Sequence, residues 1–222
     1  MTEARTPHGL VTLDQPRSAA AEAYRTLRAN IRFSSIDRSA KTILVTSAGP
    51  QEGKTTTLAN LAVIAAQAGN RVLAIDCDLR RPALHAVFDI VSSSGFTDLL
   101  LNENGTEIKA VNGPIAGLSL VPSGPLPPNP AELLSMERVD RLLEIAAKDY
   151  DLVLLDSPPA GAVADSSILA PRVDGVILVI DATRTHREQA RRAKEQLERV
   201  NARLLGVVVN RAQVDSSSMY YQ

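Results

Sequence analysis

Residues 47–55 read Ser-Ala-Gly-Pro-Gln-Glu-Gly-Lys-Thr and stand between an apolar run, Ile43–Thr46, and a segment of helical character from Thr55. A strand, a glycine-containing loop and a helix start in that order serve one chemistry well, the cradling of phosphate. The loop Gly49-Pro50-Gln51-Glu52-Gly53 and the helix start at Thr55 and Thr56 turn backbone N–H groups toward an anion, and the helix dipole favours its charge. Gly53 permits close approach, Lys54 reaches the β- and γ-phosphates, and the Thr55 hydroxyl ligates Mg²⁺. ATP with magnesium is the expected ligand. Ala48 replaces the usual first glycine, and the bland alternative is a glycine turn with a surface lysine. The strand–loop–helix setting argues against that alternative.

Two further sites end apolar runs in carboxylates. Leu73-Ala74-Ile75 leads into Asp76-Cys77-Asp78, and Leu152–Leu155 leads into Asp156-Ser157-Pro158-Pro159. In a doubly wound sheet, ligands bind at the carboxyl ends of the strands. A carboxylate there can hold Mg²⁺ through its water shell. Strand-end aspartates also cap helices; beside a phosphate loop, the functional role is the better expectation for Asp76, Asp78 and Asp156. Cys77 reads as a small buried filler.

The elements that must position these groups follow from periodicity. Continuous apolar runs at 43–46, 72–75, 118–121, 152–155, 176–180 and 204–209 read as strands buried on both faces. Helical segments at 55–68, 135–148 and 185–200 alternate with them, and a further helix is expected over 19–33. The order implies an α/β fold with a doubly wound, mostly parallel sheet flanked by helices. Residues 122–131, with proline at five of ten positions, read as a stiff loop. A single domain over 1–214 with a mobile tail at 215–222 is expected.

Composition narrows the partners. The formal net charge is −1, which gives no reason to expect a nucleic-acid partner. One cysteine excludes an internal disulfide and fits a reducing compartment. The apolar stretch near 58–68 is broken by Asn60 and Gln67 and falls short of the roughly 20 residues a membrane span needs. A cytoplasmic protein is expected. The arginine-rich segment 184–199 is interleaved with glutamates and reads as a solvated face.

Together, 47–55, 73–82 and 152–159 resemble the bacterial tyrosine kinases of capsule and exopolysaccharide synthesis, in which the three stretches are called Walker A, A′ and B. Pro128-Asn129-Pro130-Ala131-Glu132-Leu133-Leu134 resembles a signature of that family, and so does Glu22-x-x-Arg25-x-x-Arg28. The resemblance covers nearly the whole chain and implies a P-loop nucleotide-binding fold. It implies that Asp76 acts as base or orienter beside the attacking hydroxyl, and that Asp78 and Asp156 organise Mg²⁺. It implies that Asn210 recognises adenine and that Glu22, Arg25 and Arg28 mediate self-association into a ring. On periodicity alone, Glu22 and Arg25 are a surface pair on one helix face. Tyr220 and Tyr221 stand where the family carries tyrosines phosphorylated by neighbouring subunits. Protein tyrosine substrates are implied, with a membrane activator of the polysaccharide chain-length-determinant type that recruits the kinase to the inner face of the membrane. The competing readings are a non-enzymatic, ATP-gated regulatory module and the related ATPases that position septa or partition DNA. Those carry a signature lysine where this chain has Gly49, and often an amphipathic terminal helix where it has a polar tail.

Overall fold

The computed structural model describes residues 9–33, 40–102, 105 and 107–213. Seven strands form one sheet in the order β3-β4-β2-β5-β1-β6-β7. They are β1 (Thr42–Ser47), β2 (Val72–Asp76), β3 (Val111–Asn112), β4 (Leu118–Val121), β5 (Leu152–Asp156), β6 (Gly175–Asp181) and β7 (Leu204–Asn210). All six expected strands are present, and their mutual pairings are parallel. The seventh, β3, pairs antiparallel with β4. Its two residues are exposed and carry no apolar alternation for a sequence pattern to detect.

Separate apolar clusters cover the two faces of the sheet. On one face α3 (Lys54–Gln67) is the spine: every residue from Thr57 to Ala66 is buried, as expected for a helix apolar nearly all round. It is covered by α1 (Val11–Asp14) and α2 (Ala19–Phe33). The Thr12 backbone N–H and hydroxyl both donate to Asn60 Oδ1, at 3.1 and 2.8 Å, fastening α1 to α3. The opposite face is packed by α5 (Phe96–Leu101), α6 (Pro130–Ser135), α7 (Glu137–Asp149), α8 (Asp165–Leu169) and α9 (Arg187–Arg199). A short α4 (Leu84–Val87) follows β2 on the α3 side.

Two expectations need correction. The proline-rich loop ends earlier than expected, because Pro130 opens α6 from its first position. Proline is favoured there, since its missing N–H has no helical partner to lose. Strand β7 is not buried on both faces: as an edge strand it leaves Val207 and Val209 about half exposed, at 48% and 51%. A run of valines encodes strand propensity, but coverage of the strand depends on what the rest of the chain packs against it. The arginine-rich helix α9 is a solvated face as expected, laced by Arg191–Glu188, Arg192–Glu188 and Lys194–Glu198 pairs. No helix among the described residues is long and apolar enough to cross a membrane. Tyr220 and Tyr221 lie outside the described residues.

Candidate active site

Register brings the site together. Strand β1 lies between β5 and β6, and β5 also pairs β2, with Asp76 and Asp156 as direct partners at the two carboxyl ends. Adjacent strands lie about 4.8 Å apart, so the fold alone places two carboxylates side by side. The 48–53 loop leaves β1 next to them and feeds α3. Gln51 and Gly53 have positive φ, 59° and 92°, and a Cβ on Gly53 would lie 2.1 Å from Asn210 Nδ2. Only glycine fits that second position without displacing a neighbour.

At the mouth of α3, Lys54 Nζ stands 3.0 Å from Asp78 Oδ2 and 3.4 Å from Asp156 Oδ1. The Thr55 hydroxyl donates to Asp156 Oδ2 at 2.6 Å. Asp76, Asp78 and Asp156 are all buried, so three carboxylates surround one ammonium. Burial alone would lower the Lys54 pKa, but the charges of Asp156 and Asp78 outweigh it and raise it. Burial raises Asp76 to about 7, and the Asp156 charge adds to that. Asp156 is likewise raised by burial, against the pull of Lys54 and the Thr55 hydroxyl.

A cavity of about 390 Å³ opens at this point, lined by Pro50, Gln51, Gly53, Lys54, Thr55, Thr56 and Asp78 among others. Asp76 lies behind its wall, with no exposed surface. Asp76 Oδ1 accepts the Asp78 N–H at 3.2 Å, and its Oδ2 accepts those of Ala83 and Leu84 at 3.1 and 2.9 Å. It therefore organises the loop that carries Asp78. Glu52 is also turned inward: it accepts the Gly49 N–H at 2.8 Å and the Thr185 hydroxyl, bracing the phosphate loop from within. Asn210 donates to the Glu52 carbonyl at 2.9 Å, a second brace. Gly49 lines no part of the cavity, and a side chain there would meet Gln189 Nε2 at 2.4 Å. On α2, Arg25 pairs with Glu22 within the helix, and Arg28 Nε is buried with no hydrogen-bond partner.

Sequence reasoning missed a strap across the site. Arg80 Nε and Nη2 donate to the two oxygens of buried Asp165 at 2.8 and 3.0 Å. This pair ties the loop after β2 to the start of α8, while the backbone N–H groups of Arg80 and Arg81 donate to Asp78 Oδ1. The two residues lie 85 positions apart, so only the tertiary fold reveals the pair. Arg80→Ala leaves a buried carboxylate without its partner; because Arg80 is itself 40% exposed, the expected cost is discounted to about 1–3 kcal/mol. That lowers the melting temperature by roughly 2–10 °C. Arg80→Lys, which cannot reproduce the fork, is expected to recover less than half the loss. Thermal melts of both variants check this.

No group of three or more His, Cys, Asp or Glu side chains among the described residues is arranged to hold a metal unaided. The oxygen donors at this point are instead the Thr55 hydroxyl and the Asp78 carboxylate on the cavity wall, with buried Asp156 hydrogen-bonded directly behind Thr55. That set suits a hard cation that keeps several waters and completes its shell with phosphate oxygens, as Mg²⁺ does.

A parallel sheet with a phosphate loop between β1 and α3 and carboxylates closing β2 and β5 defines a phosphate-loop nucleotide-binding protein. Residues 43–221 accordingly match the CobQ/CobB/MinD/ParA nucleotide binding domain. Within that class the chain belongs to the bacterial tyrosine-protein kinases. The tyrosine-protein kinase YwqD of Bacillus subtilis is 43% identical over 216 residues, spanning 97% of this chain and 91% of its own. Among solved structures, the chimerical protein CapA2B2 superposes with a TM-score of 0.87 at 35% identity, covering 92% of this chain and 90% of the other. The kinase domain of the Escherichia coli tyrosine kinase ETK gives 0.86 at 30% identity, covering 93% and 82%.

Proposed function

We propose that this protein transfers the γ-phosphate of ATP to tyrosine, using Tyr220 and Tyr221 of neighbouring copies as acceptors, and that it thereby regulates capsular or exopolysaccharide synthesis. The observation that carries this is the meeting of Lys54 with Asp78 and Asp156 at an open cavity on the phosphate loop. Loop N–H groups and the α3 N-terminus hold the phosphates, and Lys54 neutralises charge on the β/γ oxygens. Thr55, Asp78 and Asp156 are the residues that would hold Mg²⁺. When bound, that ion would supply charge stabilisation to the phosphoryl group in transfer. The tyrosine oxygen bonds to the γ-phosphorus as the bridging P–O bond breaks, and ADP leaves with that electron pair. The phenolic proton is released to solvent through the open cavity, while Asp76 orients the loop that carries Asp78. In this reading Asn210, which lies beside Gly53, recognises the adenine.

The same reading includes self-association through Glu22, Arg25 and Arg28, and activation by a membrane protein of the chain-length-determinant type. That partner would bring the kinase to the inner face of the membrane. Incubation with Mg²⁺ and γ-labelled ATP, then phosphate mapping, tests the proposal. Label is expected on Tyr220 or Tyr221, and Tyr220→Phe/Tyr221→Phe is expected to remove at least nine tenths of it. Phosphate released only to water, with or without the activator, would overturn the tyrosine-kinase assignment.

A further inference from the structure

Two successive carbonyls of the phosphate loop are anchored by two successive residues at the carboxyl end of β7. Asn210 Nδ2 donates to the Glu52 carbonyl at 2.9 Å, and Arg211 Nη1 donates to the Gln51 carbonyl at 3.5 Å, long for such a bond. The C=O and N–H of a trans peptide point opposite ways. Anchoring the carbonyls of Gln51 and Glu52 therefore also fixes the direction of the N–H groups of Glu52 and Gly53. Gln51 and Arg211 are both left-handed, with φ of 59° and 55°. Residues other than glycine keep that conformation only where their surroundings enforce it.

For Arg211 the enforcing group is Asp181, the last residue of β6. The same Arg211 Nη1 donates to Asp181 Oδ2, while Asp181 Oδ1 accepts the Thr183 N–H and hydroxyl at 2.9 and 2.7 Å. The Asp181 side chain is buried, whereas that of Arg211 is half exposed. Hydrogen bonds from Thr183, and after them the Arg211 guanidinium, hold the Asp181 carboxyl below the usual carboxylate range, so it is charged at neutral pH. The end of β6 reaches the loop by a second route as well. The Asp181 N–H donates to the Thr185 hydroxyl at 2.8 Å, and that hydroxyl donates to Glu52 Oε1 at 2.5 Å. Arg211 thus runs from a buried, fixed charge to the loop, and it lines the same cavity as Gln51 and Gly53.

We propose that Arg211, aimed by Asp181, is a positioning residue for the nucleotide, which it serves by holding the phosphate loop at Gln51 in its binding conformation. It acts through the loop and not by contact with the nucleoside, since the nitrogen that reaches the loop is already committed to Asp181 and Gln51. The inference rests on the ATP-binding part of the reading above and is independent of which hydroxyl receives the phosphate.

The test measures equilibrium binding of a fluorescent ATP analogue with Mg²⁺, and its displacement by tripolyphosphate, on the full chain. Wild type is compared with Arg211→Met, Asp181→Asn and the double variant. Either single substitution is expected to weaken both ligands about tenfold, and the double variant no further, because the pair acts as one unit. Arg211→Lys is expected to bind within about threefold of wild type, since one nitrogen serves both acceptors and no fork is needed. A loss in Arg211→Met that spares tripolyphosphate would overturn the proposal and put Arg211 on the nucleoside. So would unchanged or tighter binding by Asp181→Asn, which would put the freed guanidinium on the phosphates. Lowered melting temperatures at unchanged affinity would also overturn it, as the mark of a pair that only stabilises the fold. If wild type binds no analogue at all, the ATP reading itself fails, and this inference with it.

Discussion

Lys54→Met is expected to reduce phosphoryl transfer by roughly 10³-fold or more, equivalent to about 4 kcal/mol of transition-state stabilisation. The geometry explains the size. Lys54 is the ammonium set among Asp78, Asp156 and, behind them, Asp76, and it is largely buried, so its charge acts with little screening by solvent. Phosphoryl transfer leaves the protein little covalent chemistry, so a lost charge at the β/γ oxygens falls almost wholly on the rate. The fold should survive, because methionine keeps the length and apolar stem of lysine. Nucleotide affinity is expected to fall far less than kcat, since the loop N–H groups remain. Single-turnover transfer beside equilibrium binding of a fluorescent analogue checks the split; a variant that retains a tenth of wild-type transfer would remove Lys54 from the mechanism.

The second large effect is expected at Asp76. Three backbone N–H groups converge on its two oxygens. Asparagine would present an NH₂ group to at least one of those donors, leaving unsatisfied polar groups in a buried place at a cost of about 1–3 kcal/mol. The loop carrying Asp78 and Arg81 would then shift. Asp76→Asn is therefore expected to lose activity by 10²-fold or more while also lowering the melting temperature. A side chain acting only as proton acceptor would lose activity with its stability intact. Melting curves and kcat measured on the same preparation distinguish an orienting Asp76 from a simple base, and a full loss of rate at unchanged stability would contradict the orienting role.

The frame of this molecule was legible from the sequence because parallel strands covered on both faces must be continuously apolar, and helices between them must repeat at 3.6 residues. Lys54, Thr55 and Asp156 were legible for the same reason: each sits at the end of such an element, so finding the element places the residue, and Asp78 follows two residues beyond the end of β2. What stayed hidden were features set by partners remote in sequence. Glu52 looked like a phosphate-loop residue facing its ligand, but its carboxylate is claimed by Thr185, 133 positions away. Asp165 showed no motif value until Arg80 was seen to hold it. The exposure of β7 was hidden too, since strand propensity reads alike at the edge and at the centre of a sheet. In the other direction, Pro130 carried a legible signal, the preference of proline for a first helical turn, that the surrounding prolines masked.

The pairing of Asp76 with Asp156 across β2 and β5 has a consequence for how such a chain can change over generations. The two carboxylates meet because the strands share one alignment, and every second residue of a strand faces the same way. A codon gained or lost inside β5 would move Asp156 to the opposite side of the sheet while leaving composition and apolar content almost untouched. The turn joining β3 to β4, remote from the phosphate loop, imposes no such constraint. Lineages of this fold are thus free to drift in length at one end of the sheet and held to an exact count at the other, so gaps in a future comparison of relatives should trace the catalytic strands by avoiding them.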